Sequence, residues 1–282
     1  MKKKRSLIME IFLSVLKIGT VAYLGLCLLV FLKQPGYVYY PDKDVGLTPE
    51  YLNLKYEDVR IKTEDGETIA GWFVSAPERD QKSACTVLFC HGNAGDIGDR
   101  PDSIMTFHKM GLNVLIFDYR GYGDSSGKPT EKGTYLDAKA VWEYLTKEKN
   151  IDGKKIVIFG RSLGGAIATW LAEQTEPGAL VVESTFTSAP DMAKKMFWFL
   201  PRFLCRFKYD SINRIADVGC PVLIAHSKDD DMIPFKHGQR LFKAAVEPKC
   251  FVEMRGSHNA GGLDADTEYQ KIFQDFLEKH MR

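Results

Sequence analysis

Short, continuous apolar runs alternate along this chain with longer amphipathic stretches. Thr86–Cys90, Asn113–Phe117 and residues 156–159, 180–182, 222–225 and 250–254 are apolar at successive positions and too short for helices. They read as strands buried on both faces, which is the pattern of a parallel sheet. Residues 135–147, 166–173, 235–246 and 267–279 between them carry helical spacing. Near the start, Tyr56–Lys62 and Thr68–Val74 are β-rich runs on either side of Glu64-Asp65-Gly66-Glu67, where Asp-Gly signals a hairpin. The pattern predicts one α/β domain over residues 55–282, with an antiparallel hairpin first and a mostly parallel sheet with helices on both faces thereafter.

The N-terminus follows a different rule. Lys2-Lys3-Lys4-Arg5 precedes an apolar run over residues 7–32, interrupted only by Glu10 and Lys17. About 20 apolar residues suffice to cross a bilayer core of about 30 Å. No small-x-small cleavage site follows, so the run reads as an uncleaved signal anchor rather than a signal peptide. Residues 1–33 are therefore expected to form a basic tip and a transmembrane helix. The basic cluster puts the N-terminus in the cytoplasm and the body outside it. The chain has no Asn-x-Ser/Thr acceptor, in keeping with a bacterial envelope. Residues 34–54, rich in Pro, Gly and Tyr at their start, read as a linker leaving the membrane.

The candidate chemistry gathers just after the apolar runs. Gly160-Arg161-Ser162-Leu163-Gly164-Gly165 joins a predicted strand to a predicted helix and carries Gly-x-Ser-x-Gly, the nucleophile-elbow pattern. The turn is tight, so the positions two residues to either side of the serine must lack bulk. His226-Ser227-Lys228-Asp229-Asp230-Asp231 follows a later strand, and Gly256-Ser257-His258-Asn259 follows the last. Ser162, an Asp and His258 thus stand in the chain order that accompanies such an elbow. An imidazole near neutrality can take the serine proton, and a carboxylate on its other nitrogen fixes the tautomer. His258 is the one of six histidines in a Gly-flanked loop after the last strand; the other five read as surface or structural. Only one of Asp229, Asp230 and Asp231 can face the imidazole, which leaves the other two as solvated or capping residues. The oxyanion hole is assigned to the amides of Leu163, after the nucleophile, and Asn93, in the His91-Gly92-Asn93 loop.

Together with Asp118-Tyr119-Arg120-Gly121-Tyr122-Gly123, these motifs resemble the α/β-hydrolase family. They are most similar to its membrane-anchored branch, which includes the fungal bud-emergence hydrolase and animal abhydrolase-domain proteins. The resemblance covers residues 55–280 and implies the α/β-hydrolase fold with Asp230, four residues before Pro234, as the acid. It also implies serine hydrolysis of carboxylic esters or thioesters, on lipids or acylated proteins in some members. Residues 185–210 then occupy the position of a short cap or lid, and their run Met196-Phe197-Trp198-Phe199-Leu200, flanked by Lys194 and Lys195, suits an acyl-binding or bilayer-facing role. Asp96 departs from the family pattern, which often has Asn or another polar residue there; it would either discourage anionic substrates at the mouth of the oxyanion loop or point to solvent.

Composition narrows the alternatives. A formal net charge of +1 leaves no electrostatic footprint for nucleic acid. The chain has no Cys-x-x-Cys pair, His-Glu-x-x-His or P-loop Lys-Ser/Thr, so no metal or cofactor is implied. The six cysteines are scattered and outline no disulfide framework. An amidase or aminopeptidase of the same fold, with Glu183 holding an α-amino group, is the competing enzyme. A membrane-tethered binding protein without activity is the competing non-enzyme.

Overall fold

The computed structural model describes residues 2–81 and 84–281. Eight strands form the main sheet: β1 (Tyr56–Lys62), β2 (Thr68–Val74), β3 (Thr86–Cys90), β4 (Asn113–Phe117), β5 (Ile156–Arg161), β6 (Ala179–Glu183), β7 (Val222–Ser227) and β8 (Lys249–Met254). Their spatial order is β1-β2-β4-β3-β5-β6-β7-β8. Strand β2 runs antiparallel to both β1 and β4, and every other pairing is parallel. The hairpin closes where the sequence places it, with Gly66 at φ +93° and its N–H donating to the Thr63 carbonyl.

Successive residues of each central strand feed two separate cores, as the period of two requires. Ile156 and Ile158 pack with Val141, Ile167, Leu171 and Leu241 on one face. Val157 and Phe159 pack with Ile104, Phe107, Phe273 and Phe276 on the other. Continuous apolar strands are thus the consequence of helices on both sides. The helix predicted over 135–147 begins earlier, as Glu131–Glu143, because the Thr130 hydroxyl accepts the Gly133 N–H and caps it. A wider turn at Tyr144–Glu148 continues it.

The N-terminal helix α1 spans Lys2–Lys33. Its side chains from residue 7 onward are exposed around the whole circumference, except at Cys27 and Val30 and part of the last turn. The segment Leu7–Lys33 is long and apolar enough to span a bilayer. The side chains of Lys2, Lys3, Lys4 and Arg5, which carry the orientation argument, lie outside those described.

The segment after α1 is held to the body. Pro35–Val38 adds a helical turn, and Tyr40–Pro41 pairs in parallel with Ala94–Gly95. The buried Tyr39 hydroxyl lies 2.7 Å from that of Tyr209. Backbone hydrogen bonds thereby bring the end of α1 against the loop that follows β3.

The glycines of the elbow are fixed by packing. A Cβ on Gly160 would come within 2.6 Å of the Ala168 Cβ, and one on Gly165 within 2.5 Å of the Thr185 Cβ. At Gly164 it would collide with the carbonyl oxygens of Cys90 and His91. Overpacking of this kind costs about 1–3 kcal/mol. Gly164→Ala should therefore lower the melting temperature of the detergent-solubilised protein by several degrees. Gly219→Ala, whose Cβ would meet nothing within 4 Å, should leave it unchanged.

Candidate active site

Because Cys90 pairs with Gly160 across β3 and β5, the loops leaving these two strands emerge side by side. Ser162 sits at the tip of the second, immediately before helix α2 (Leu163–Gln174), with φ +55° and ψ −120°. Such a conformation is costly for a non-glycine residue, about 1–3 kcal/mol, and persists only when its surroundings over-determine it. Here the Ser162 N–H donates to the Glu183 carbonyl at 2.9 Å. The Ser162 carbonyl accepts from the Thr185 hydroxyl at 2.7 Å and from the Gly165 N–H at 3.0 Å.

The structure brings the three sequence candidates into one chain of contacts. His258 Nε2 lies 3.0 Å from Ser162 Oγ, and His258 Nδ1 lies 2.8 Å from Asp230 Oδ2. An ionised carboxylate only accepts, so Nδ1 carries the proton and Nε2 is left as the acceptor facing the serine. Asp230 Oδ1 accepts the Met232 and Ile233 N–H groups at 2.9 and 2.7 Å. Burial by itself would raise this carboxyl; the hydrogen bonds from His258 and Ile233 outweigh it and hold Asp230 below the ordinary carboxylate range.

The neighbouring aspartates are exposed to solvent, as expected from the sequence, and they also bond to the backbone of the next loop. Asp231 Oδ1 accepts the His258 backbone N–H at 3.0 Å, and Asp229 Oδ2 lies 3.4 Å from the Gly256 N–H. All three carboxylates tie the loop after β7 to the loop after β8, because those strands are adjacent and in register through Met254 and Ser227. His226 is structural, as expected: it is buried, with Nε2 2.9 Å from the Ile233 carbonyl, and it braces the acid loop.

Asn93 and Leu163 line the same cavity as Ser162. Leu163 opens α2, so its N–H has no acceptor within the helix. The Asn93 carbonyl is gripped by the Tyr40 N–H at 3.1 Å and the Tyr122 hydroxyl at 2.8 Å, and the Asn93 side chain donates to the Val38 carbonyl at 3.0 Å. The Tyr119 hydroxyl donates to the His91 carbonyl at 2.9 Å. The tyrosines of Asp118-Tyr119-Arg120-Gly121-Tyr122-Gly123 thus brace the Asn93 loop, a role the motif's sequence did not disclose. Asp96 neither faces the cavity mouth nor points to solvent: it is buried and accepts the Gly98 N–H at 2.6 Å, capping the turn at Ile97–Asp99.

Two further clusters support these loops. Arg161, next to the serine, pairs with the buried Glu183 and, at 2.5 Å, with Asp264 beyond the His258 loop. Glu183 also accepts the Leu263 N–H at 2.9 Å, so it is engaged on the far side of the elbow and is not the acid of an amine-binding pocket. The second cluster is Asp118, which accepts the Ile97 N–H at 3.0 Å and lies 3.8 Å from His91 Nε2. Burial, reinforced by the nearby Asp96, pushes the Asp118 carboxyl up to about 8. Burial likewise pushes His91 down to about 3, so that pair is neutral near pH 7.

The cavity over Ser162 has a volume of about 400 Å³, within the range of small-molecule sites. Its walls come from the cap, chiefly Phe186, Met192, Phe197 and Leu200, and from the end of α1. Among the described residues no His, Cys, Asp or Glu cluster has metal-binding geometry. The six cysteines are free thiols.

Residues 86–214 match the family model described as the alpha/beta hydrolase fold. The chain is 38% identical over 249 residues to an uncharacterised protein of Mycobacterium tuberculosis, covering 88% of each. It is 36% identical to the alpha/beta hydrolase domain-containing protein WAV2 of Arabidopsis thaliana, covering 93% of this chain and 92% of that one. Protein bem46 of Schizosaccharomyces pombe is 32% identical, with 83% and 80% covered. Among solved structures, a Pyrococcus furiosus esterase superposes with a TM-score of 0.71 at 22% identity, over 87% of this chain and 98% of that one. A Pyrococcus horikoshii acylaminoacyl peptidase reaches 0.63 at 17% identity, over 81% of this chain and 42% of that one. Likeness at these identities establishes the fold, which serves esterase and peptidase alike.

A buried carboxyl with a raised pKa favours the folded state while protonated. The Asp118 contribution is fully present below the ordinary carboxylate pKa, declines as pH rises, and is gone once pH has passed about 8. Asp118→Asn should therefore flatten the fall in melting temperature between pH 5 and pH 8. Thermal unfolding across that range checks this, with an unchanged slope as the contrary result.

Proposed function

The chain belongs to the α/β-hydrolase family, and on that premise we propose that it is a serine hydrolase cleaving carboxylic ester or thioester bonds through an acyl-enzyme. The reading is carried by one observation: a serine at φ +55° whose Oγ lies 3.0 Å from an imidazole that is itself 2.8 Å from a buried carboxylate.

In this reading His258 Nε2 takes the Ser162 Oγ proton as Oγ attacks the acyl carbonyl carbon. The carbonyl oxygen becomes an oxyanion and is held by the Asn93 and Leu163 amides, each such donor being worth about 2.7–4 kcal/mol in the transition state. The carbon–oxygen or carbon–sulfur bond to the leaving group breaks, and the His258 proton passes to that alcohol or thiol. Water, deprotonated by His258, then attacks the acyl-serine; the acid departs and the proton returns to Ser162. Asp230 stays ionised throughout and stabilises the imidazolium. Asp231 is the positioning residue for His258, acting through the backbone.

Helix α1 is proposed as the membrane anchor of residues 1–33, with the N-terminus cytoplasmic and the hydrolase body, residues 55–282, outside. The amidase reading has less support. Asp231 is the acidic residue among the described cavity walls, and one of its oxygens is already taken by the His258 N–H.

Hydrolysis of p-nitrophenyl esters from acetyl to palmitoyl by the detergent-solubilised protein tests the reading. Ser162→Ala should abolish turnover and fluorophosphonate labelling together; turnover that survives would refute the mechanism. Asp230→Asn should lower kcat by about 10⁴-fold, as loss of the orienting carboxylate does elsewhere. Asp231→Ala should cost only several-fold, because its hydrogen bond to the His258 N–H is open to solvent. Equal losses in the two variants would remove the division of labour between these aspartates.

A further inference from the structure

The cavity over Ser162 is closed by an unusual wall. Cys27, Val30, Phe31 and Gln34, on one face of α1, line it together with the cap. Cys27 and Val30 are the two buried positions among the described residues of the helix, so the face that meets the cavity is also the face the cap covers. The contacts are specific. The Tyr23 hydroxyl donates to the Phe199 carbonyl at 3.0 Å. Gln34 donates to the Leu204 carbonyl at 2.6 Å and accepts the Arg206 N–H at 2.7 Å. The Arg206 guanidinium lies 5.2 Å from the Phe31 ring centroid, and the Tyr37 and Phe197 rings are 5.3 Å apart.

These contacts fix depth. A helix rises about 1.5 Å per residue, which puts Tyr23 roughly 15 Å below Lys33 along the axis of α1. If α1 spans the bilayer, the cap residue bonded to Tyr23 lies below the headgroups. The tip of the cap is built for that position: Trp198 and Phe203 are 81% and 85% exposed, and Lys194, Lys195 and Arg202 flank them. Large aromatic rings left bare in water mark a membrane or partner surface, and aromatics bordered by Lys and Arg suit the interface. Their attachment to a bilayer-length apolar helix selects the membrane.

We propose that the cap and the end of α1 form a portal opening into the bilayer, and that the substrate is a membrane lipid whose ester-linked fatty acyl chain slides laterally between them to Ser162. This rests on the hydrolase reading above for its chemistry but not for its geometry. Passing a chain through water would cost about 0.8 kcal/mol per exposed CH₂ group, and a lateral route avoids that cost. The cationic flank favours anionic headgroups at the mouth.

The test uses the full chain in phosphatidylcholine–phosphatidylglycerol vesicles. With brominated acyl chains, tryptophan emission should be quenched, and Trp198→Phe should remove most of the quenched component. Equal quenching in the two proteins would overturn bilayer insertion of the cap. In unbrominated vesicles, Val30→Trp should lower the ratio of turnover on a fluorescent-acyl phosphatidylglycerol to turnover on p-nitrophenyl acetate by at least about tenfold. An unchanged ratio would overturn the portal. Cleavage of an S-palmitoyl peptide without cleavage of the phospholipid would overturn the lipid as substrate. Loss of Ser162-dependent turnover on every ester would instead refute the hydrolase reading, while the quenching result would still stand or fall by itself.

Discussion

The backbone of Ser162 cannot adopt φ +55° on its own account, and much of this molecule is arranged to keep it there. The strained turn is held between strand β5 and helix α2 by three glycines: Gly160 lets Ala168 of the helix approach the strand, and Gly164 and Gly165 let the helix start press against Cys90, His91 and Thr185. Hydrogen bonds with Glu183 at the end of β6, with Thr185 just beyond it and with Gly165 in α2 then fix both of its polar backbone groups. The same close approach brings the Asn93 loop beside the serine, so the proposed nucleophile and the proposed oxyanion donors are positioned by one packing event. A bulkier elbow would separate them.

Charge is distributed around this turn with a clear division. On the cavity side, Asp229, Asp230 and Asp231 each reach the loop that carries His258, and Asp230 is kept ionised by hydrogen bonds despite its burial. On the opposite side, Arg161 is clamped by Glu183 and Asp264, linking the elbow to the chain beyond His258. A buried carboxylate such as Glu183 is tolerable only because the guanidinium and the Leu263 N–H satisfy it. Asp118 and His91 solve the same problem differently, by remaining neutral. The proposed catalytic loops are thereby tied together by charged contacts on both sides of the turn, and tyrosine hydroxyls brace the Asn93 loop.

The N-terminal segment is part of this scheme. Tyr40 and Val38 bond to Asn93, and the helix before them supplies a wall of the cavity. The N-terminal helix, the Asn93 loop and the cap are therefore one continuous contact surface. Displacement of the helix would open the cavity and loosen a proposed oxyanion donor together.

The sequence by itself determined the fold and the identity of the candidate residues, because both rest on local rules. Continuous apolar runs require two-sided burial, Gly160 and Gly164 around Ser162 require a tight turn, and polar residues just past strand ends in a parallel sheet converge on one edge. It could not separate Asp229, Asp230 and Asp231 without the family resemblance, since adjacent residues of one type differ only in where their side chains reach. It misplaced Asp96 and Glu183 for a related reason: whether a carboxylate faces water, a cap or a buried arginine depends on partners distant in the chain. Only the tertiary structure set Arg161 against Asp264, Tyr122 against Asn93, and the end of α1 against the cap. Such contacts join residues far apart in sequence, and no periodicity or motif encodes them.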